Sequence, residues 1–265
     1  MGPRQPQQGS APGSTGTVKL SIVTAVLNSP EVVRRHVLHY QRMPLPEDVE
    51  WIVVDDKSDP PLLREDYDLP RLTIVRHTLP GIWTQPAARN FGARQAVGEK
   101  LLCTDIDHIV TQDLIDFARE TPYDFVKLRR EVAILDAEGR FVQTEEAVLE
   151  YGFQPERLAR GRFHIAPHTN SFIVTRKVYL DLGGVSERRV KLGRHPNREE
   201  IPLRRRIWEQ ARLGNITVLD EQTNGHDQRP MLYMIPNGHY CGHKDANPFG
   251  LFHSLPRKTR GQVGP

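Results

Sequence analysis

Leu101-Leu-Cys-Thr-Asp-Ile-Asp-His-Ile-Val110 decides how this chain folds. Leu101 to Thr104 close an apolar run that suits a buried strand. Within three residues the chain then places two carboxylates, Asp105 and Asp107, followed by His108. Like charges that close repel each other and each resists desolvation, unless something positive lies between them. A divalent cation held by carboxylate oxygens meets that need. The alternative is that these aspartates cap a turn, although Asp113 is better placed to cap the helix that follows.

The flanking sequence repeats the theme. KLSIVTAV (19–26), EWIVVDD (50–56), RLTIVRH (71–77) and KLLCTDID (100–107) are four apolar, β-branched runs that read as strands. Between the first two, Asn28 or Ser29 caps a helix with Pro30 in its first turn, running to about Gln41 with Val32, Val33, Val37 and Tyr40 inward. GIWTQPAARNFGARQAVG (81–98) contains a second helix, from near Pro86 to Gly98. Strands in alternation with helices argue for an α/β chain whose mostly parallel central sheet is flanked by helices. Ligands of such sheets bind beyond the carboxyl ends of the strands. Asn28, Asp55 with Asp56, and Asp105 with Asp107 should therefore converge on one rim.

The totals agree with a globular protein: 265 residues, 38% hydrophobic and 26% charged. Residues 2–17 carry no bulky apolar side chain, so 1–17 reads as a disordered tail, and 256–265 as a flexible basic one. Between them, 18–255 reads as one domain. No run is long enough to span a membrane and the N-terminus lacks a signal-peptide core, so a cytoplasmic protein without membrane insertion is expected. Cys103 and Cys241 are expected as reduced thiols. The formal charge is +3, yet residues 187–212 hold nine Lys or Arg against four Glu, which leaves +5 there and −2 over the rest. That is either a solvated face or a surface for an anionic substrate.

SIVTAVLN, WIVVDDKSDP and AARNFGARQAVGEKLLCTDIDHI resemble, in that order, the nucleotide-sugar half of family 2 glycosyltransferases with the GT-A fold. NSFIVTRKVYLDLGGVSE (170–187) is similar to the family segment ending in a Gly-Gly-Phe-Asp-Glu turn, and REEIPLRRRIWEQARLG (198–214) to the helix that opens with Glu-Asp. The resemblance implies a transferase that moves a sugar from a nucleoside-diphosphate sugar, UDP-type favoured, to an acceptor hydroxyl with inversion, using Mn²⁺ or Mg²⁺. The same resemblance implies a Rossmann-like nucleotide-binding half at 18–108 and an acceptor half with a closing segment at 109–255.

It also implies roles. Ala25, Val26, Asn28, Asp55, Asp56, Arg89, Asn90 and Asp105 would border the donor nucleotide; Arg89 could equally lie along its helix surface. Asp105 and Asp107 would hold the metal, with His243 or else His239 completing the site and His108 as an alternative partner behind it. Glu200, or Glu199, would be the general base. Two departures stand out: Val26 and Leu27 replace the usual Thr and Tyr, removing an aromatic that would stack on the base, and Gly183-Gly184-Val185-Ser186-Glu187 replaces Gly-Gly-Phe-Asp-Glu. Arg188, Arg189, Arg198 and Trp83 are the acceptor-side candidates, with Trp83 alternatively a core residue. The acceptor is expected to be a saccharide, with a hydroxylated base in DNA, a phosphorylated glycan or a lipid-linked diphosphate as anionic alternatives. A nucleotidyltransferase would usually carry a Gly-rich phosphate loop that TAVLNSPE lacks, and a non-catalytic sugar- or nucleic-acid-binding relative would have neither Glu199 nor Glu200 reaching an acceptor.

Overall fold

The computed structural model describes residues 17–81, 84–153, 164–165, 170–193, 198–220 and 231–236. Its first half runs β1 (Leu20–Val26), α1 (Pro30–Arg42), β2 (Val49–Asp55), β3 (Leu72–Arg76), α2 (Gln85–Gln95), β4 (Lys100–Asp105), β5 (His108–Ile109) and α3 (Gln112–Glu120). Then come β6 (Phe125–Lys127), β7 (Arg129–Val132), β8 (Ile134–Leu135), β9 (Phe141–Val142), α4 (Glu145–Glu150) and β10 (His164–Ile165). The remainder is β11 (Phe172–Thr175), α5 (Arg176–Asp181), α6 (Arg188–Lys191), α7 (Ile201–Arg212), β12 (Val218–Leu219) and β13 (Met231–Met234).

Seven strands form the central sheet in the order β12-β6-β11-β4-β1-β2-β3. All pair in parallel except β11, which runs antiparallel to both β4 and β6. This is the α/β, mostly parallel architecture the sequence implies, with β11 carrying the second half of the chain back into the sheet of the first. Alternation along β1 divides the core: Leu20, Ile22 and Val26 face Val33, Val37 and Tyr40 of α1 and Leu114, Ile115 and Ala118 of α3. Val23 and Ala25 face Ala88 and Ala93 of α2, Tyr179 of α5, and Leu203 and Ile207 of α7. A smaller sheet, β10-β7-β13-β5, attaches through β5 immediately beyond the Asp105–Asp107 turn.

Two boundaries differ from the sequence expectation. Helix α2 stops at Gln95, three residues before Gly98. Gly98 instead lies against β1: its N–H donates to Ser21 Oγ at 2.9 Å, and a Cβ there would sit 2.6 Å from the Ser21 nitrogen. The glycine permits a close backbone approach rather than ending a helix. Thr111, not Asp113, is the N-cap of α3, because the backbone stays extended through Thr111 (φ −93°, ψ 166°). Asp113 falls within the first turn, where its charge complements the helix dipole. Helix α1 keeps its expected span and inward residues, with Ser29 at its N-cap.

Among the described residues no helix is long and apolar enough to cross a membrane. Cys103 is buried and free, and burial pushes its thiol up to about 12, so it stays protonated.

Candidate functional site

The expected rim exists. In the parallel register Val26 pairs with Asp55 and Ala25 with Asp105, so the two aspartates flank the end of β1. Two strand spacings put their backbones about 10 Å apart.

On the β2 side the carboxylates are enclosed by their own loop. Asp55 and Asp56 are fully buried. Asp55 accepts from Ser58 N at 2.7 Å, from Leu62 N at 3.3 Å and from Arg76 Nη1 at 2.7 Å. Asp56 accepts from Lys57 Nζ at 2.6 Å, from Thr84 N at 2.6 Å, from the Thr84 hydroxyl, and faces His77 Nδ1 at 3.4 Å. Burial pushes the Asp56 carboxyl up, but the bonds from His77, Lys57 and Thr84 outweigh it and hold it below the usual carboxylate range. Asn28 joins the same loop: its N–H donates to Ser58 Oγ at 2.8 Å and its Oδ1 accepts from Asp59 N at 2.7 Å. Asn28 and Lys57 both adopt left-handed backbone, at φ 48° and 67°. Side chains rarely take that conformation, and a dense hydrogen-bond set is what holds them there. The side chains of Ala25 and Val26 point into the core, so only their backbone reaches the rim.

On the β4 side the carboxylates are more open. One ligand atom each from Asp105, Asp107 and His108 lies within 4.8 Å of the others. Asp105 Oδ1 accepts from Arg89 Nη2 at 2.6 Å and from Gln85 Nε2 at 3.0 Å. Arg89 is buried, so its guanidinium is aimed at the rim rather than lying along the helix surface. Asp107 Oδ1 stands 3.0 Å from His108 Nδ1. Behind this turn sit two histidines of α1 that the sequence reading passed over. His36 Nε2 donates to Ile106 O at 2.9 Å, and His39 Nε2 contacts Val110 O at 3.1 Å. Ile106 is the middle residue of the Asp-x-Asp. Burial pushes His36 down to about 3, so it is neutral and keeps a single N–H for that carbonyl. A histidine at an inward helical position, four residues before a tyrosine that faces the core, was the available signal.

Asn90, next to Arg89, reaches the other half of the chain. Its amide nitrogen donates to Val185 O and Glu187 Oε1, both at 2.8 Å. Its oxygen accepts from Tyr179 Oη at 2.6 Å and Val185 N at 3.1 Å. Every hydrogen-bonding position of that side chain is thus committed, three to the Gly183–Glu187 turn and one to Tyr179 of α5. Gly184 has φ +64°, and a Cβ there would stand 2.3 Å from Asn90 Oδ1, so only glycine fits. Ser186 N donates to Glu199 O at 3.0 Å, and Arg206 Nη2 donates to Gly184 O at 2.7 Å. Those bonds bring the opening of α7 beside the turn. Glu199 and Glu200 are both buried there; Arg189 Nε lies 3.5 Å from Glu199 Oε1. Among the described residues no hydrogen bond or ion pair engages the Glu200 carboxylate, which stands at the N-cap of α7 without a capping bond. Arg188 and Arg198 are exposed beside them. Trp83, His239, His243 and the basic tail lie outside the described residues.

The comparisons come from three directions. No curated protein sequence matches the chain. Among solved structures, S. aureus TarS 1–349 matches with a TM-score of 0.45 and 19% identity, over 82% of this chain and 60% of that one. The same protein in complex with UDP matches with a TM-score of 0.44 and 18% identity, over 83% and 61%. The chain thus spans about three fifths of those structures. The family model described as "Glycosyl transferase family 2" matches residues 21–183, more than half of the chain. By that match the chain belongs to glycosyl transferase family 2.

Proposed function

We propose that the chain transfers a sugar from a nucleoside-diphosphate sugar to an acceptor hydroxyl, with inversion at the anomeric carbon. The observation that carries this reading is the cluster of Asp105, Asp107 and His108 at the carboxyl end of β4, beside the end of β1. Two carboxylates and an imidazole that close suit Mn²⁺, or Mg²⁺ on the oxygens alone. A bound divalent cation would supply charge stabilisation to the departing diphosphate. Around it the chain's own residues divide the work. Arg89 holds Asp105 in place and offsets part of its repulsion with Asp107. Asp55, Asp56 and Asn28 shape the loop against which base and ribose lie, and their own polar atoms are already bonded within it.

Glu200 acts as general base, because its carboxylate is buried yet uncommitted where α7 opens. The acceptor oxygen forms the new bond to the anomeric carbon while the bond from that carbon to the diphosphate oxygen breaks. The diphosphate leaves with the electron pair, and the acceptor proton passes to Glu200. Asn90 ties this side to the donor side, so residues 18–108 serve the donor and the following half the acceptor. Titrating the protein with Mn²⁺ and following the free-ion paramagnetic signal tests the metal. The wild type should bind one ion and Asp107→Asn about a hundredfold more weakly; equal binding by the two would remove Asp107 from the site.

A further inference from the structure

The surface formed by α6 and the outer face of α7 holds cations that, among the described residues, form no ion pair. Nine Lys or Arg lie between positions 187 and 212, and eight of them are arginine. Three have a use within the fold: Arg189 faces Glu199, Lys191 Nζ pairs with Glu187 Oε2 at 2.9 Å, and Arg206 holds Gly184 O. Among the described residues, Arg188, Arg198, Arg204, Arg205 and Arg212 form no ion pair. Surface arginines elsewhere do find carboxylates: Arg34 with Glu31, Arg119 with Asp48 and Arg140 with Asp136. Arg205 and Arg212 are exposed and seven residues apart, so they point the same way about 10 Å from each other along the axis. Arg198 directly precedes Glu199 in a left-handed conformation, φ 56°, that a side chain seldom adopts.

Exposed Glu209 lies on the same face between Arg205 and Arg212 and, among the described residues, pairs with neither, so the surface keeps an excess of positive charge, which disfavours the folded state by self-repulsion. A neutral saccharide gives nothing to offset that. A phosphodiester chain does, and the planar guanidinium matches phosphate oxygens two at a time and stacks on flat bases, which ammonium does not. We propose that this surface binds the phosphate backbone of a nucleic acid, and that the acceptor hydroxyl is carried by that nucleic acid. The position of the acceptor site rests on the glycosyltransferase reading; the acceptor's class comes from the charge. A base buried in a duplex would have to be extruded to approach Glu200.

The test is fluorescence anisotropy with a fluorescein-labelled DNA duplex of about 20 base pairs. Four or five neutralised phosphates predict that log K falls with log salt at a slope of about −4, a loss of a few hundredfold between roughly 50 and 200 mM. Arg188→Glu with Arg205→Glu should reduce that slope by about two and weaken binding at least tenfold at low salt. Arg34→Glu with Arg140→Glu makes the same change of charge elsewhere and should leave binding within about threefold. The Arg188/Arg205 variant should keep the melting temperature of the wild type, whereas the control, which gives up the pairs with Glu31 and Asp136, should melt somewhat lower without losing binding. No binding at low salt, or equal loss in both double variants, would overturn the proposal. Stronger competition by a base-free poly(glycerol phosphate) than by unlabelled DNA would overturn it too, in favour of a phosphorylated polymer. The melting shift from a nucleoside diphosphate with Mn²⁺, read on the same protein, reports the donor site separately. Its absence would sink the glycosyltransferase reading while leaving the DNA result to stand or fall alone.

Discussion

The rim formed by β1, β2 and β4 and the surface of α6 and α7 use charge in opposite ways. At the rim, Asp55, Asp56 and Asp105 each accept from donors supplied by the fold, and Arg76, Arg89 and Lys57 are spent on holding them. On α6, α7 and the residues between them the sign reverses, and among the described residues five arginines form no ion pair. A charge bonded within the fold positions something, and its loss costs stability; an uncompensated one awaits a ligand, and its loss costs binding. Asn90 is where the two regions meet, with no hydrogen-bonding capacity left over for a nucleotide.

The sharpest break of this contrast is Glu200→Gln. A buried, uncommitted carboxylate should behave as a ligand-facing group, so turnover should fall about 10²- to 10⁴-fold with the melting temperature unchanged. A large stability change with full activity would move Glu200 into the positioning class. Asn90→Ala should do the reverse. It leaves the Tyr179 hydroxyl and Val185 N–H without their buried partner, which costs about 2–4 kcal/mol in chemical denaturation. An unchanged denaturation midpoint would mean the two halves are held together by packing alone.

Smaller effects separate the positioning groups from one another. His36→Phe removes the donor behind Ile106 and should weaken Mn²⁺ binding about tenfold, within the range for residues behind a metal ligand. His36→Gln, which can still donate, should restore most of it. Equal affinity in both variants would show that the turn needs no support from α1. Acid titration probes the rim again. Asp56 and Glu187 both have carboxyls held below their unfolded values of 3.8 and 4.5, at Glu187 because the bonds from Asn90 and Lys191 outweigh burial. The stability they contribute is therefore complete above those values and is lost as pH falls through and below them. Asp56→Asn should be less stable near neutrality and show a flatter decline in acid; a parallel curve would contradict the assignment.

The strands were legible because buried parallel strands are continuous apolar runs, and the carboxylates stood where those runs stop. Pairing the ends of β1, β2 and β4 on one rim followed from that alone. Gly98 and Asp113 misled because glycine serves both helix ends and close approaches, and an acidic residue early in a helix can be a cap or a first-turn charge. Tertiary contacts decided each case. The pairing of β13 with β5 joins Met234 to His108 across more than a hundred residues, and nothing local announces it beyond an apolar run between two prolines. The commitment of Asn90 to the Gly183–Glu187 turn is likewise long-range. Its amide could have faced open rim, and in the structure it bonds to Val185, Glu187 and Tyr179.

The most direct measurement is the melting temperature of the wild type with a panel of nucleoside diphosphates and nucleotide sugars, each with and without Mn²⁺. A ligand that binds only the folded state at about a hundred times its Kd stabilises it by about 2.7 kcal/mol. The account predicts a rise for one nucleotide class that requires the metal and disappears in Asp107→Asn. No rise with any of them, or one indifferent to both Mn²⁺ and Asp107, would contradict a donor site at the end of β4.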